Sequence, residues 1–289
     1  MPIRLHSRWG ACGLAAALAL PGSAWSGAVA VARLDHLQFT LVDLAPDDGI
    51  APSFSFVADP DAPNRQRTEL TVDVQNSVLG TSDSAIQADF SFIAPLDLAR
   101  SVANNSAIAR STADSLHAEA TSLERGSASA FASSESNVFF SGDFGLQLSP
   151  MSAITITADA TVTALDTGEA GAEGFAFEFA QAESFLRIRA ADPGDGSGPQ
   201  DSLSQRSAVT TVDALADVED ASGALSVSFQ NLGAAPLYGY LSARSTASAF
   251  GVTAAVPEPS SWALALTGLA ALAARGRRRA GREPGALKR

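Results

Sequence analysis

The feature that most constrains this chain is a two-residue alternation of apolar and polar side chains. Residues 154–164 read ITITADATVTA, with apolar residues at every even position and Thr or Asp at every odd position. Successive side chains of a β-strand point to opposite faces, so such a segment buries one face and exposes the other. The pattern recurs at 37–41, 70–75, 175–179 and 225–230. It is typical of antiparallel sheets that are packed on one side and solvated on the other.

The alternation also predicts which side chains form the core. The residues expected to point inward are Leu37, Phe39, Leu41, Leu70, Val72, Val74, Ile154, Ile156, Ala158, Ala160, Val162, Ala164, Phe175, Phe177, Phe179, Leu225, Val227 and Phe229. We expect the core to consist mainly of Phe, Val, Leu and Ile. About ten to twelve such runs, separated by turn residues, predict an all-β fold built as an antiparallel β-sandwich, jelly-roll-like or immunoglobulin-like.

Three segments need a separate interpretation. Residues 101–135 are rich in Ala and Ser, and we predict strands and loops there with room for one short helix. Residues 190–202, AADPGDGSGPQDS, are interpreted as a long loop within one sandwich rather than a linker between two domains. Residues 40–56 predict a strand, a Pro-Asp-Asp-Gly turn and a second short strand.

The amino-terminal segment has the features of a secretory signal. Two arginines precede an uncharged, mainly apolar run at 11–20, and small residues follow, with two A-x-A sites within 28–32. This order predicts a signal peptide over 1–32, rather than a transmembrane helix. Signal peptidase would then release a mature chain that starts at Val31 or Arg33. The folded body is expected to span residues 33–255.

The carboxyl-terminal segment, VPEPSSWALALTGLAALAARGRRR, has three parts in close succession. Pro-Glu-Pro comes first, and prolines disfavour helix at and before themselves. An uncharged run at 260–274 follows, which as a helix covers only about 23 Å, short of the ~30 Å hydrocarbon core. Arginines come directly after it, and by the positive-inside rule this end stays cytoplasmic.

This order resembles the PEP-CTERM sorting signal of Gram-negative bacteria, which exosortases recognise. The matching positions are Pro257, Glu258 and Pro259 for the tripeptide, 260–274 for the short transmembrane helix, and Arg275, Arg277, Arg278 and Arg279 for the basic end. The resemblance implies processing near the tripeptide by an exosortase and transient insertion in the inner membrane. It also implies association with exopolysaccharide or biofilm. We therefore assign a sorting signal to 256–282 and a short disordered tail to 283–289. Residues 40–56 also resemble a segment of uncharacterised β-rich PEP-CTERM proteins.

The charge and composition of the body exclude several classes of function. Between residues 33 and 256 there are ten arginines and 29 Asp or Glu, which gives a net charge of −19. Such a surface repels nucleic acid and stays soluble. The body contains no cysteine, since Cys12 lies in the signal peptide, and no tryptophan. Thiolate catalysis is thus excluded, and the tryptophan platforms common in sugar-cleaving sites are absent.

The remaining candidates for chemistry in the body are few. His36 and His117 are interpreted as surface residues, because no G-x-S-x-G nucleophile elbow accompanies them and two histidines without cysteine make a zinc site unfavourable. Tyr238 and Tyr240 could stack on a sugar or flank the core. Two groups of aspartates could offer oxygen ligands to Ca²⁺: Asp192, Asp195 and Asp201, and Asp43, Asp47 and Asp48. Neither has EF-hand spacing, so we interpret both as solvated loops and expect no cofactor, with calcium left open.

Together these observations predict an exported, exosortase-processed protein of the cell surface or extracellular matrix. We expect a structural or interaction role in exopolysaccharide or biofilm, without catalytic residues. The alternative is a carbohydrate-binding module, with calcium-dependent binding as one form of it. The expected partners are signal peptidase and exosortase during export, and exopolysaccharide afterwards.

Overall fold

A computed structural model describes residues 27–62, 65–138, 144–166, 178–190, 202–211 and 217–252. Over these residues the chain forms strands and no α-helix. The strands are β1 (Ala28–Asp43), β2 (Phe54–Val57), β3 (Arg67–Asn76), β4 (Thr81–Asp89), β5 (Leu96–Val102), β6 (Asn105–Ser111), β7 (Leu116–Ser122), β8 (Gly126–Glu135), β9 (Gly145–Leu148), β10 (Ser152–Asp166), β11 (Phe179–Ala190), β12 (Ser202–Thr211), β13 (Asp217–Asn231) and β14 (Leu237–Gly251).

The strands form two antiparallel sheets that pack face to face. Sheet A has the order β13-β10-β1-β7-β6-β5, and sheet B has the order β12-β11-β14-β8-β3-β4, with β9 and β2 joined beside β14. The chain passes repeatedly from one sheet to the other, so β1 faces β14 and β10 faces β11. Residues Ser26–Ala255 form one compact unit. The predicted all-β sandwich is confirmed.

The alternation placed most core residues correctly. Leu70, Val72 and Val74, the six even-numbered residues of 154–164, and Leu225, Val227 and Phe229 are all buried. Leu37 is also buried, while Phe39 and Leu41 pack against the core from its edge. The prediction for Phe179 is wrong, because this ring is half-buried on the outer face and Ala180 takes the inward position. Phe175 and Phe177 lie outside the described residues.

The expected composition of the core is wrong, because alanine is its commonest residue. The fully or almost fully buried alanines include Ala28, Ala30, Ala32, Ala107, Ala109, Ala118, Ala120, Ala128, Ala130, Ala132, Ala180, Ala182, Ala243, Ala247 and Ala249. Short side chains let facing strands approach, and Cα atoms of β1 and β14 come within 8 Å of each other. Packed sheets are usually about 10 Å apart. The sandwich is therefore thin where its inward residues are alanines.

Buried serines connect the two sheets across this thin region. The Ser184 hydroxyl of β11 donates to the Arg33 carbonyl of β1 over 2.9 Å. The Ser245 hydroxyl of β14 donates to the Leu116 carbonyl of β7 over 3.2 Å. Such bonds satisfy hydroxyl groups that would be costly to bury alone. Larger side chains gather elsewhere, and Phe39, Phe54, Phe56 and Phe92 stack or meet edge to face at centroid distances of 4.5–6.0 Å.

The structure also describes residues 101–135, the flanks of 190–202, and residues 40–56. Residues 101–135 contain β6, β7 and β8 with the end of β5, so the short helix allowed for there is absent. Residues 191–201 lie outside the described residues, and the residues that flank this segment, Arg189 of β11 and Ser202 of β12, pair within one sheet. Residues 40–56 form the predicted strand, turn and strand, with the Asp48 amide donating to the Ala45 carbonyl over 3.0 Å.

Candidate functional site

Both ends of the folded body lie at the same end of the sandwich. Ala28, the first residue of β1, pairs with Ser122 of β7. Gly251, the last residue of β14, pairs with Gly126 and donates its amide to the Ser122 hydroxyl over 3.1 Å. The first and last strands of the body, β1 and β14, therefore begin and end at the same edge of the body.

A network of amides and one carboxylate holds this end together. Glu124 accepts hydrogen bonds from the side-chain amides of Asn76 and Asn104, each over 2.5 Å. The Asn105 amide donates to the Gln75 carbonyl over 2.8 Å, and its oxygen accepts from the Glu124 backbone over 3.2 Å. These bonds tie three turns of the two sheets to one another. The end of the sandwich at which β1 begins and β14 ends is thus held by side-chain hydrogen bonds.

The residues of the predicted sorting signal lie outside the described residues. These are Pro257, Glu258 and Pro259, the run at 260–274, and Arg275, Arg277, Arg278 and Arg279. Residues 1–26 of the predicted signal peptide also lie outside. In the part of the chain that is described, no helix is long and apolar enough to span a bilayer. The last residues of the predicted signal peptide, 28–32, are the beginning of β1.

The two histidines of the body have different surroundings. His36 has a positive φ at an irregularity of β1 and lies exposed, 3.0 Å from an Asp159 carboxylate oxygen, which raises the pKa of its imidazole. His117 is largely buried and flanked by Arg33 and Arg110. Burial and these two cations lower the pKa of His117 to about 4. At neutral pH the His117 ring is therefore uncharged and a weak base. Both histidines were predicted to be surface residues. The prediction is correct for His36 and wrong for His117.

The described aspartates that were considered for calcium, Asp43, Asp47 and Asp48, are not gathered into a metal site. An Asp43 carboxylate oxygen accepts from the Ala45 amide over 2.9 Å, and an Asp48 oxygen accepts from the Ile50 amide over 2.7 Å. Both side chains thus stabilise their own turn. Within the described ranges, no three His, Cys, Asp or Glu side chains are placed to hold a metal ion. The other candidates, Asp192, Asp195 and Asp201, lie outside these ranges.

The two tyrosines do not form a sugar platform together. Tyr240 is fully buried, so its ring cannot reach a ligand. Tyr238 is half-buried, and its hydroxyl accepts a hydrogen bond from the Gln147 amide over 2.8 Å. The interpretation that these residues flank the core is therefore correct for Tyr240.

The outer face of sheet B carries a group of charged and aromatic side chains that sequence reasoning missed. Phe185 of β11 lies opposite Arg206 of β12 and Arg244 of β14. The guanidinium groups of Arg187 and Arg244 lie 5.8 and 5.2 Å from the centre of the Phe185 ring, within the range of cation–π attraction. Arg206 and Arg244 each contact the Glu183 carboxylate over 2.9 Å. We call Glu183, Phe185, Arg187, Arg206 and Arg244 the arginine cluster.

A shallow depression lies on the same outer face. It is lined by Arg67, Glu69, Phe131, Ser133, Glu135 and Val138. Burial raises the pKa of Glu135, and the nearby Arg187 and Arg244 oppose this effect. Together the depression and the arginine cluster concentrate guanidinium groups on one face of a strongly acidic body. The alternation in 183–189, ESFLRIR, could have indicated that Glu183, Phe185 and Arg187 share a face.

The comparison with known families identifies the carboxyl-terminal segment. Residues 255–279 match the PEP-CTERM protein-sorting motif. No curated protein and no solved structure matches the chain. The match defines a class, the exported proteins that are directed to the cell surface or beyond. The particular signal is the PEP-CTERM motif, so an exosortase is the processing partner of this chain. The resemblance proposed for residues 40–56 has no support among these findings.

Proposed function

We propose that this protein is a non-catalytic component of the extracellular matrix, with a structural or interaction role in exopolysaccharide or biofilm. The sorting motif at 255–279 is the observation that supports this role, because it directs the protein to the surface where such a matrix forms. Of the two histidines, His117 is a poor general base at neutral pH, because its pKa of about 4 lies far below the value near operating pH that favours proton transfer.

The charge of the body fits this role in a second way. A net charge of −19 keeps the body soluble during export, because the molecules repel one another. The repulsion is screened where salt or divalent cations are abundant. Carboxylates of neighbouring molecules, or of an acidic polysaccharide, can then be bridged by Ca²⁺ without a dedicated site in the protein.

The role is tested by complementing a strain that lacks this protein. The wild-type chain should restore matrix-bound exopolysaccharide and should be found at the surface without its arginine tail. The triple variant Pro257→Ala, Glu258→Ala, Pro259→Ala should keep the tail, stay with the inner membrane and fail to restore the matrix. Ser260→Ala with Ser261→Ala is the matched control and should behave as wild type. Unchanged matrix in the deletion strain would contradict the matrix role, whereas normal processing of the triple variant would contradict exosortase recognition.

The arginine cluster favours a second candidate, a carbohydrate-binding role. Guanidinium groups donate paired hydrogen bonds to carboxylates, and an aromatic ring beside them gives a sugar an apolar surface. Acidic sugars fit this chemistry best. Binding through Arg187, Arg206 and Arg244 needs no metal, so it would be calcium-independent.

Retention of the exported protein on an immobilised uronic-acid polysaccharide tests this second candidate. We expect Arg244→Gln to weaken retention about fivefold to tenfold, close to the loss of one charge-assisted hydrogen bond. Arg100→Gln is the matched control, since Arg100 is 38% exposed against 40% for Arg244 and also contacts an acid, Asp83. A chelator should have no effect. Retention that a chelator abolishes and Arg244→Gln leaves intact would contradict this site.

A further inference from the structure

The first strand of the body overlaps the end of the predicted signal peptide. The A-x-A sites at 28–30 and 30–32 fall within β1, which begins at Ala28. Cleavage after Ala30 or Ala32 would therefore remove the beginning of this strand from the mature protein. The position of β1 in the sheet decides whether the body can lose these residues.

Residues 28–32 are held on both sides in the middle of sheet A. Ala28, Ala30 and Ala32 are each 0% exposed. Over the same residues β1 pairs with β7, where Ala30 lies opposite Ala120, and with β10, where Ala30 lies opposite Ala164. Removal of this segment would leave a gap between two strands, with their backbone N–H and C=O groups unpaired and their alanines uncovered. Buried backbone groups are almost always paired, so such a gap is strongly unfavourable.

Gly27, the residue before β1, is also packed closely against the body. Its φ is +141°, a conformation that residues other than glycine rarely adopt. A Cβ atom at this position would collide with the Ser122 carbonyl and the Leu123 backbone. The chain is thus packed closely against the turn after β7 at Gly27. A residue that belongs only to a discarded leader would have no such constraint.

The A-x-A pattern at 28–32 can be explained by the structure of β1 and does not require a cleavage site. Every second residue of 28–32 faces the alanine core, and so the segment reads Ala-Val-Ala-Val-Ala. Any strand of this body with alanines on its inner face gives the same three-residue pattern. The pattern at 28–32 therefore follows from packing between the sheets and carries no information about cleavage.

We propose that the leader is removed by cleavage before Trp25 or before Gly27, upstream of β1, rather than within β1. Two small-x-small sites precede Gly27, namely Gly22-Ser23-Ala24, which follows directly on the apolar run and Pro21, and Ala24-Trp25-Ser26, which comes just after it. Signal peptidase would hydrolyse the peptide bond after Ala24 or after Ser26. Water adds to the carbonyl carbon, the released leader ends in a carboxylate, and the mature chain gains an α-amino group at Trp25 or Gly27.

This inference rests on the export that the sorting motif indicates and not on the proposed matrix role. Its test is the amino terminus of the exported wild-type protein, read by intact mass and peptide mapping. The mature chain should begin at Trp25 or Gly27 and should contain residues 28–32. A mature chain that begins at Val29, Val31 or Arg33 would overturn the proposal, whatever the fate of the carboxyl terminus.

A variant at Ala24 makes the test independent of folding. Ala24 belongs to both proposed sites, and Glu at this position should block both because signal peptidase needs small residues there. The Ala24→Glu protein should therefore lose the processed form and keep the leader. Ala24→Gly is the matched control and should be processed as wild type. If Ala24→Glu is processed to the wild-type product, the cleavage site lies elsewhere and the proposal is wrong.

Discussion

Replacement of Ile156 by Asp should unfold the body. Ile156 is 0% exposed in β10, between β1 and β13. The substitution removes a large apolar side chain and places a carboxylate in the core without a partner. We expect a loss on the order of 5 kcal/mol, from the lost burial and the unpaired charge. Because single domains are stable by only about 5–15 kcal/mol, this loss removes most of the stability. Far-ultraviolet circular dichroism and urea denaturation measure it.

The adjacent residue provides the control for this prediction. Thr157 points to the outer face and lies opposite Gln38 and Ser226. The Thr157→Asp side chain can stay in water, and its nearest cross-strand neighbours are uncharged. We expect the variant to fold with a loss below about 1 kcal/mol. Equal damage from the two substitutions would mean that the alternation of 154–164 does not separate core from surface.

The fold class could be predicted because the signal for it is local. Each apolar residue at Leu70, Val72 and Val74 alternates with a polar one, so the inward face is readable within a single strand. The same holds for β10 and for the end of β13. A β-strand has only two faces, and a strong contrast in polarity between them identifies the buried one without knowledge of its partners.

The alanine core could not be predicted because its contrast is weak. In SASAFAS, at 127–133, alanine and serine differ little in size and hydrophobicity, and Phe131 is the only large apolar side chain. The hydrophobic pattern therefore suggests that Phe131 is the inward residue. In the structure Phe131 is on the outer face and Ala130 and Ala132 are buried. What decides the orientation is the narrow space between the sheets, which accepts alanine and excludes phenylalanine.

Sequence and structure also differ in what they reveal about the sites. The sorting signal was readable in the sequence because all its parts lie within a few tens of residues. The arginine cluster was not, since Phe185, Arg206 and Arg244 meet only through the register of three strands. The A-x-A sites at 28–32 are a local pattern as well. Because Ala28, Ala30 and Ala32 are also the buried residues of β1, packing offers a second physical reason for the same pattern.

The close packing at the end of the sandwich predicts a second large effect, at Gly126. This glycine begins β8 and pairs with Asn76 of β3 and Gly251 of β14. A Cβ atom here would collide with the Gln75 carbonyl oxygen and come within 2.6 Å of the Asn105 side-chain amide. In the wild-type body these two groups form a 2.8 Å hydrogen bond, which belongs to the network around Glu124. Gly126→Ala must therefore move backbone as well as side chain.

We expect Gly126→Ala to destabilise the body by about 3 kcal/mol, the upper range for forced overpacking. Gly223 is the matched control, because it also lies in a strand but a Cβ atom there meets nothing within 4 Å. Gly223→Ala should leave stability unchanged or raise it by up to about 1 kcal/mol, since alanine restricts the unfolded chain. Thermal unfolding of both variants decides the matter. If Gly126→Ala unfolds at the same temperature as Gly223→Ala, the backbone around Gly126 has room for a Cβ atom, and this end of the sandwich is not tightly packed at β8.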